Sequence, residues 1–260
     1  MRVRAGCGRL ASVGRWRSRP TPGRCPINDV FERQLTHAVL ELGAQADPPH
    51  TLQRVAEITP EFFTACDYVG ISLVERDRIG TPIATDERLR QLDEAQYEMG
   101  EGPCREAILE HETVVVDDLA TDPRWPSWGR AMVSELGIRS SASFRLFTRP
   151  DRTWGALNVY SRTPGAFTDE DVEQGRIIAA LAAVTLARSI HDEQLAQALE
   201  SRTLIGQATG MLMERYGLDD HRAFDVLRRL SSQQNVKLRD LAAQVVQTRD
   251  LPVGADPAAN

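Results

Sequence analysis

From Thr168 to Gly217 the chain runs for 50 residues without a proline. No other stretch narrows the possible folds as far. Thr168, followed by Glu170 and Asp171, has the character of a helix start. Unbroken, the helix would reach about 70 Å at 1.5 Å per residue. A run of that length is expected of a coiled coil or of a helix linking two domains. Ile177, Leu181 and Val184 follow a 3–4 spacing that resumes at Leu195, Ala198, Arg202, Ile205, Thr209 and Leu212, and Arg188 and His191 interrupt it. Two arrangements fit: a parallel helical dimer, or a helix packed on its own domain that breaks near His191.

The end of this run, "LIGQATGMLMERYG" at 204–217, places Gly206 and Gly210 inside an apolar helix. Each interior glycine costs about 1 kcal/mol relative to alanine. On a helical wheel Leu204, Ile205, Ala208, Met211, Leu212 and Tyr216 share one side, and the glycines fall opposite with Thr203, Met213 and Glu214. Such a side admits close approach of a neighbouring helix or of a nucleic-acid backbone.

Charge is segregated along the chain. Residues 1–26 carry seven arginines and no acid, residues 27–200 carry 16 basic and 30 acidic side chains, and residues 201–249 carry 8 basic and 5 acidic ones. Such segregation predicts regions with different partners. The first 26 residues read as a disordered basic tail, either a plain extension or a nucleic-acid-binding arm. Residues 249–260 read as a flexible tail. A hydrophobic content of 42% permits a sizeable core. No apolar run approaches the roughly 18 residues of a membrane span, and the N-terminus lacks a signal-peptide pattern; a cytoplasmic protein without a membrane partner is expected. Cys7, Cys25, Cys66 and Cys104 form no CxxC pair and the five histidines are scattered, so no metal is expected.

Apolar spacing predicts a helix over 28–43 and helical character in "PHTLQRVAEITPEFFTAC", interrupted near Pro60. "YVGISLVE", "VVVDDL", "SASFRLFT" and "TWGALNVYS" have the composition of strands, the last two joined by a hairpin, with helical pieces around 86–97, 103–110 and 129–136. The class is α+β. After the long helix, "LDDHRAFDVLRRLSSQQN" offers Asp219 or Asp220 as N-cap and Ala223, Phe224, Leu227 and Leu230 as an apolar stripe. "VKLRDLAAQVVQT" makes a third helix with Leu238, Leu241, Ala242 and Val245 inward. Three short helices can share a small core. Basic groups on the second and third would then meet phosphates or form a solvated face.

Nothing in the sequence assembles a nucleophile, a base and an orienting group, so no catalytic residue is expected. "GEGPC" lacks the ending of a P-loop and reads as a turn into a helix at Pro103. Four residues are candidates for lining a ligand pocket: Cys104, Asp117, Trp125 and Trp128. Cys104 at a helix start is either a thiol of lowered pKa or a packed small hydrophobe. Asp117 follows a strand and suits a turn cap. Trp125 and Trp128, in the Pro-containing loop "DPRWPSW", either fold over a pocket or anchor the loop.

The stretch "IGQATGMLMERYGLDDHRAFDVLRRLSSQQNVKLRDLAAQVV" resembles the ANTAR domain, the RNA-binding output module of bacterial antitermination regulators. The matching positions are Ile205, Ala208, Gly210, Ala223, Phe224, Leu227, Arg228, Asn235, Lys237, Leu238, Leu241 and Ala242. Many members carry lysine where Thr209 stands, which removes one phosphate contact here. "GEGPCREAI", "VVVDDLATDPRW" and "WGALNVYSRTPGAFTDED" are similar to GAF domains. The resemblance implies an antiparallel sheet with flanking helices at 28–190 that serves as a sensor and can hold a small ligand. It implies a three-helix unit at 191–248 that binds hairpin RNA in nascent transcripts, and with it a homodimer through the helix around 169–216. Charge and expected exposure select Gln207, Arg215, Arg222, Arg228, Arg229, Lys237 and Arg239 as RNA contacts, and the motif adds Gly210 and Asn235. A DNA-binding regulator is the alternative, because "LRDLAAQVVQT" resembles the first helix of a helix-turn-helix; a sensory or dimerisation protein without nucleic acid is another.

Overall fold

The computed structural model describes residues 29–76, 78–110 and 113–251. The basic segment 1–26 and most of the C-terminal tail lie outside the described residues. Helices α1 (Asp29–Gly43) and α2 (Pro48–Ile58) precede a short 3-10 turn at Thr59–Phe62. Strands β1 (Tyr68–Glu75) and β2 (Arg78–Ala84) lead to α3 (Glu87–Met99) and α4 (Pro103–Glu110). Then follow β3 (Val114–Val116), α5 (Pro126–Leu136), β4 (Ser140–Arg149) and β5 (Arg152–Ser161). Three helices close the chain: α6 (Asp169–Tyr216), α7 (Asp220–Gln234) and α8 (Leu238–Thr248). The strands form one antiparallel sheet in the order β2-β1-β5-β4-β3.

Alternation along the strands gives the sheet two unlike faces. Val69 and Ile71 of β1, Leu157 and Val159 of β5, and Ala142 and Phe144 of β4 point to one side and join residues of α1, α2 and α6 in the main apolar core. The intervening residues, among them Ser72, Asn158, Tyr160, Ser141 and Ser143, are equally buried and mostly polar. Helices α3, α4 and α5 cover that side, with Trp128, Met132 and Leu89 at the centre of a second core.

Helix α6 is a single element of 48 residues, with no break near His191. Thr168 caps it through a reciprocal pair with Asp171, and Gly217 at φ 62° ends it. Its first half lies on the apolar face of the sheet. A Cβ added at Gly175 would come within 2.2 Å of the Phe144 ring, so glycine there lets the helix seat on the strand. Gly175→Ala is expected to lower stability by roughly 1–3 kcal/mol through overpacking, measurable as a reduced midpoint of thermal unfolding.

Strand β2 had no counterpart in the sequence pattern. Gly80 and Pro82 lie inside it, and both discourage a strand assignment; it is an edge strand, where they are tolerated. Helix α5 begins at Pro126, three residues earlier than the spacing suggested, and takes Trp128 into its body. In α7 the inward side is Ala223, Val226, Leu227 and Leu230, and Phe224 is 40% exposed.

Candidate functional site

Two places concentrate polar groups that the fold itself does not fully use. The first is the polar side of the sheet beneath α3 and α4. Gly102, at φ 129°, turns the chain between these helices, and Gln96 fills the space where a side chain would stand. The backbone N–H of Cys104 donates to Gln96 Oε1 at 3.2 Å. Gln96 Nε2 donates to Asp93 Oδ1 at 3.1 Å, and the Tyr160 hydroxyl donates to the same oxygen at 2.5 Å. Asp93 is fully buried, and burial pushes its carboxyl up to about 7. Its other oxygen, Oδ2, has no hydrogen-bond partner and rests where a Gly70 side chain would be, 2.5 Å from that Cβ position.

A second chain of hydrogen bonds joins this cluster to the surface. Asn158 Nδ2 and the Tyr97 hydroxyl donate to Ser72 Oγ at 3.1 and 2.5 Å. Thr81 Oγ1 is 3.2 Å from Ser72 Oγ and 3.3 Å from the Tyr97 oxygen. Asn158 Oδ1 and the hydroxyls of Ser141 and Ser143 lack partners, as Asp93 Oδ2 does. Buried polar atoms without partners are uncommon and mark a place for a water or a ligand group. Thr81 and Tyr97 also line an open groove of about 980 Å³ between β2, α3 and α4, with Arg78, Arg90, Arg105, Glu94 and Glu98 around it.

The four pocket candidates do not converge on this groove. Cys104 is fully buried, its sulfur 3.4 Å from the Tyr97 hydroxyl; burial, then the neighbouring Asp93 charge, pushes the thiol up to about 11. Of the two readings of Cys104, the packed small hydrophobe fits: the helix start does not offset the loss of solvent. Trp125 and Trp128 pack edge to face at 6.5 Å, and Trp128 Nε1 donates to Leu92 O at 2.9 Å, so they fasten α5 to α3. Glu101 caps α5 from 26 residues away through the backbone N–H groups of Ser127 and Trp128. Asp117 is exposed, and its carbonyl accepts from Gly165 N at 2.7 Å.

The second place is the C-terminal bundle. Ala208 and Leu212 of α6 join Ala223, Val226, Leu227 and Leu230 of α7 and Leu241, Ala242 and Val245 of α8 in a small core. Outside it, Arg222 and Arg228 of α7 are exposed, each beside an acid of its own helix surroundings: Asp219 at 3.7 Å and Asp225 at 3.0 Å. Arg229 is half-buried, seven residues from Arg222 and so on the same line of α7. Lys237 is the exposed N-cap residue of α8, and Arg239 pairs with Asp240 at 3.2 Å. Phe224 stands one turn before Arg228, which sets an exposed ring and a guanidinium along one line. That ring was assigned to the core in the sequence and is the surface residue that assignment missed.

The remaining candidates have local duties. Asn235, at φ 53°, ends α7 in the left-handed conformation that asparagine tolerates. Arg215 donates to Arg249 O and pairs with Asp250 at 3.0 Å, tying α6 to the end of α8. Gln207 and Gly210 are exposed and border a shallow groove of about 540 Å³ with Met211, Glu214, Val246 and Arg249. Among the described residues, no group of three or more His, Cys, Asp or Glu could hold a metal, and no helix is long and apolar enough to cross a membrane.

A sheet with one polar buried face, tied by one continuous helix to a three-helix bundle, gives a chain of two units. The chain belongs to the GAF domain family, whose model matches residues 45–187, and it carries an ANTAR domain at residues 193–246. No curated protein matches it in sequence. Among solved structures it is similar to a bacteriophytochrome of the photosynthetic bacterium R. palustris, at 16% identity over 76% of this chain and 43% of that one, with a TM-score of 0.51. It is also similar to the GAF domain of an Acinetobacter phosphoenolpyruvate-protein phosphotransferase, at 13% identity over 65% of this chain and 99% of that one, TM-score 0.49. A free methionine-R-sulfoxide reductase from Neisseria meningitidis, solved with its substrate, matches at 20% identity over 63% and 92% of the two chains, TM-score 0.48. At these identities the likeness is one of fold. The ANTAR domain implies an RNA partner.

Proposed function

We propose that this chain is a signal-responsive transcription antitermination regulator, whose bundle binds hairpin RNA in nascent transcripts in the cytoplasm and whose GAF domain holds a small ligand. The domains we assign run from 28 to 190 and from 191 to 248, with α6 crossing the boundary. The carrying observation is the exposed Phe224 aligned with Arg228 on a helix whose opposite side closes the bundle core. Hairpin loops expose unstacked bases, and an aromatic ring beside cations suits both base and phosphate. Arg222, Arg229, Lys237 and Arg239 extend the basic surface, and we add Gln207 and Gly210, which line the shallow groove that Arg249 borders. Arg215 and Asn235 contribute by holding α6, α7 and α8 in place. The ligand we place in the groove at Thr81 and Tyr97, whose hydroxyls connect through Ser72 to the buried Asn158. Two copies act together through α6.

Competitive titration of a stem-loop RNA and a duplex DNA of equal length tests the output. Preference for the stem-loop is expected; preference for the duplex, or binding to neither, defeats the proposal. Phe224→Ala is expected to weaken stem-loop binding by about 1–3 kcal/mol, the scale of one stacked base. The thermal midpoint of the bundle should change little, because the ring lies outside the core.

A further inference from the structure

The turn between β4 and β5, "FTRPDRTW" at 147–154, carries charge that the fold leaves uncompensated. Residues 27–200 hold 30 acidic side chains against 16 basic ones. Arginines elsewhere on the domain use them: Arg54, Arg88, Arg90, Arg124, Arg139 and Arg176 each form an ion pair with a carboxylate. Among the described residues, Arg145, Arg149 and Arg152 have no such partner. Arg149 and Arg152 are both exposed and stand directly opposite each other in the strand register, as the last pair before the turn. Like charges so placed destabilise a sheet.

The neighbouring side chains hold this turn in shape. Arg145 Nε donates to Thr153 Oγ1 and its Nη2 to Pro150 O, both at 2.8 Å, while its guanidinium lies 4.8 Å from the centre of the exposed Phe147 ring. Arg152 lies 4.1 Å over the Trp154 ring, whose Nε1 donates to Thr148 Oγ1 at 3.2 Å. The turn also lies on the side where α6 leaves the sheet. The backbone N–H of Ala166 donates to Ser140 Oγ at 3.4 Å, which fixes the start of α6 at the opposite end of β4. Gly175 then meets Phe144 in the middle of β4, so α6 advances toward the β4–β5 turn. Ile190 is the last residue of α6 packed on the sheet core and Leu204 the first packed in the bundle. The helix between them is about 21 Å long at 1.5 Å per residue. That is less than one turn of a nucleic-acid duplex, roughly 34 Å.

We infer that the β4–β5 turn is a second RNA contact, at which Arg149 and Arg152 grip the phosphate backbone of the stem whose loop the bundle holds. This rests on the reading of the bundle as a stem-loop binder and adds a contact made by the other domain. A phosphate seated between the two guanidinium groups relieves their mutual repulsion, and each group meets it through paired N–H donors. Contacts to phosphate carry no sequence information, so this site reads the length of the stem and not its bases. It gives the sensory domain a direct hold on the RNA, besides the one it has through α6.

Fluorescence anisotropy of the full chain tests this, with stem-loop RNAs that share one loop and carry stems of about 5 or about 15 base pairs. The parent is expected to bind the long stem more tightly than the short one. Arg149→Ala/Arg152→Ala is expected to bind the long stem at least tenfold more weakly than the parent does, and the short stem equally well. Its salt dependence on the long stem should be shallower by about 2 in logarithmic slope, the share of two phosphates. The same variant is expected to unfold by heat no earlier than the parent, because the opposed charges are gone. Arg130→Ala, at an exposed position of α5, should change neither affinity nor slope. Parental affinity and slope of the double variant on the long stem overturn the inference and leave the role of the bundle standing. An equal loss on both stems places the effect outside the stem and overturns it too. A parent chain that binds neither RNA overturns the reading beneath the inference, and the inference with it.

Discussion

Replacing Arg228 and Arg229 together by glutamate is expected to abolish stem-loop binding while leaving the protein folded. Arg228 is exposed and paired with Asp225 at 3.0 Å, an arrangement worth about 0–1 kcal/mol to the fold. Arg229 is only half-buried. Neither supplies atoms to the apolar core of the bundle, which rests on Ala223, Val226, Leu227 and Leu230 of the same helix. Against RNA the two guanidinium groups count for more. A hydrogen bond to a charged group contributes about 1.5–3 kcal/mol, so two lost contacts correspond to at least a hundredfold in affinity. Reversal also sets two new negative charges against the phosphates. Electrophoretic mobility or fluorescence anisotropy against salt concentration checks this. The parent's affinity should fall as salt rises, and the slope for an alanine pair at 228 and 229 should be shallower. Binding of the glutamate variant at parental strength would remove α7 from the interface and with it the placement of RNA on this face.

Much of the framework was legible in the sequence because it rests on local chemistry. The Thr168–Asp171 start and the Asp219 cap of α7 are short-range signals, and each operates in the structure. The 3.6-residue pattern located α7 and α8, yet it misassigned Phe224. That position lies roughly 110° from the centre of the buried side at 100° per residue, and the apolar character of the ring masked the angle. Tertiary features were not legible. Glu101 caps a helix 26 residues away, and nothing near either position announces it. Gly80 and Pro82 disguised β2, and with it one wall of the groove. The polar side of the sheet is visible in hindsight as Ser141, Ser143, Asn158 and Tyr160 at alternate positions. Only the packing of α3 brings Asp93 onto them and makes that alternation a site.

Asp93→Asn is expected to stabilise the protein at pH 8 and to lose that advantage on acidification. Asp93 is fully buried, its Oδ2 has no donor, and its carboxyl is pushed up to about 7 from an ordinary 3.8. The folded chain therefore holds this proton more tightly than the unfolded chain does. Below about pH 4 the carboxyl is protonated in both states and imposes no penalty. As pH rises from there to about 7, unfolding releases a proton and stability falls; above 7 the penalty is complete. A displacement from 3.8 to about 7 corresponds to about 4 kcal/mol at 1.36 kcal/mol per decade. Half-buried carboxylates such as Asp86 and Asp118, whose pKa is lowered first by Arg88 and Arg139 side-chain hydrogen bonds, act in the opposite sense, their contribution being lost as pH falls. The difference between parent and variant isolates Asp93. Asparagine keeps an acceptor for the Tyr160 hydroxyl and for Gln96, and carries a donor where Oδ2 stood, so the network around it is preserved. Urea titrations at pH 5 and pH 8 give the measurement: the variant should gain several kcal/mol at pH 8 relative to its difference from the parent at pH 5. Equal differences at the two values would mean that Asp93 does not titrate in this range. A carboxyl that changes charge near neutrality, beneath the helices that wall the groove, makes the seat of α3 on the sheet responsive to whatever supplies its missing donor. A ligand that donates a hydrogen bond to Oδ2 is accordingly expected to lower the Asp93 pKa and to reduce the difference between parent and variant at pH 8.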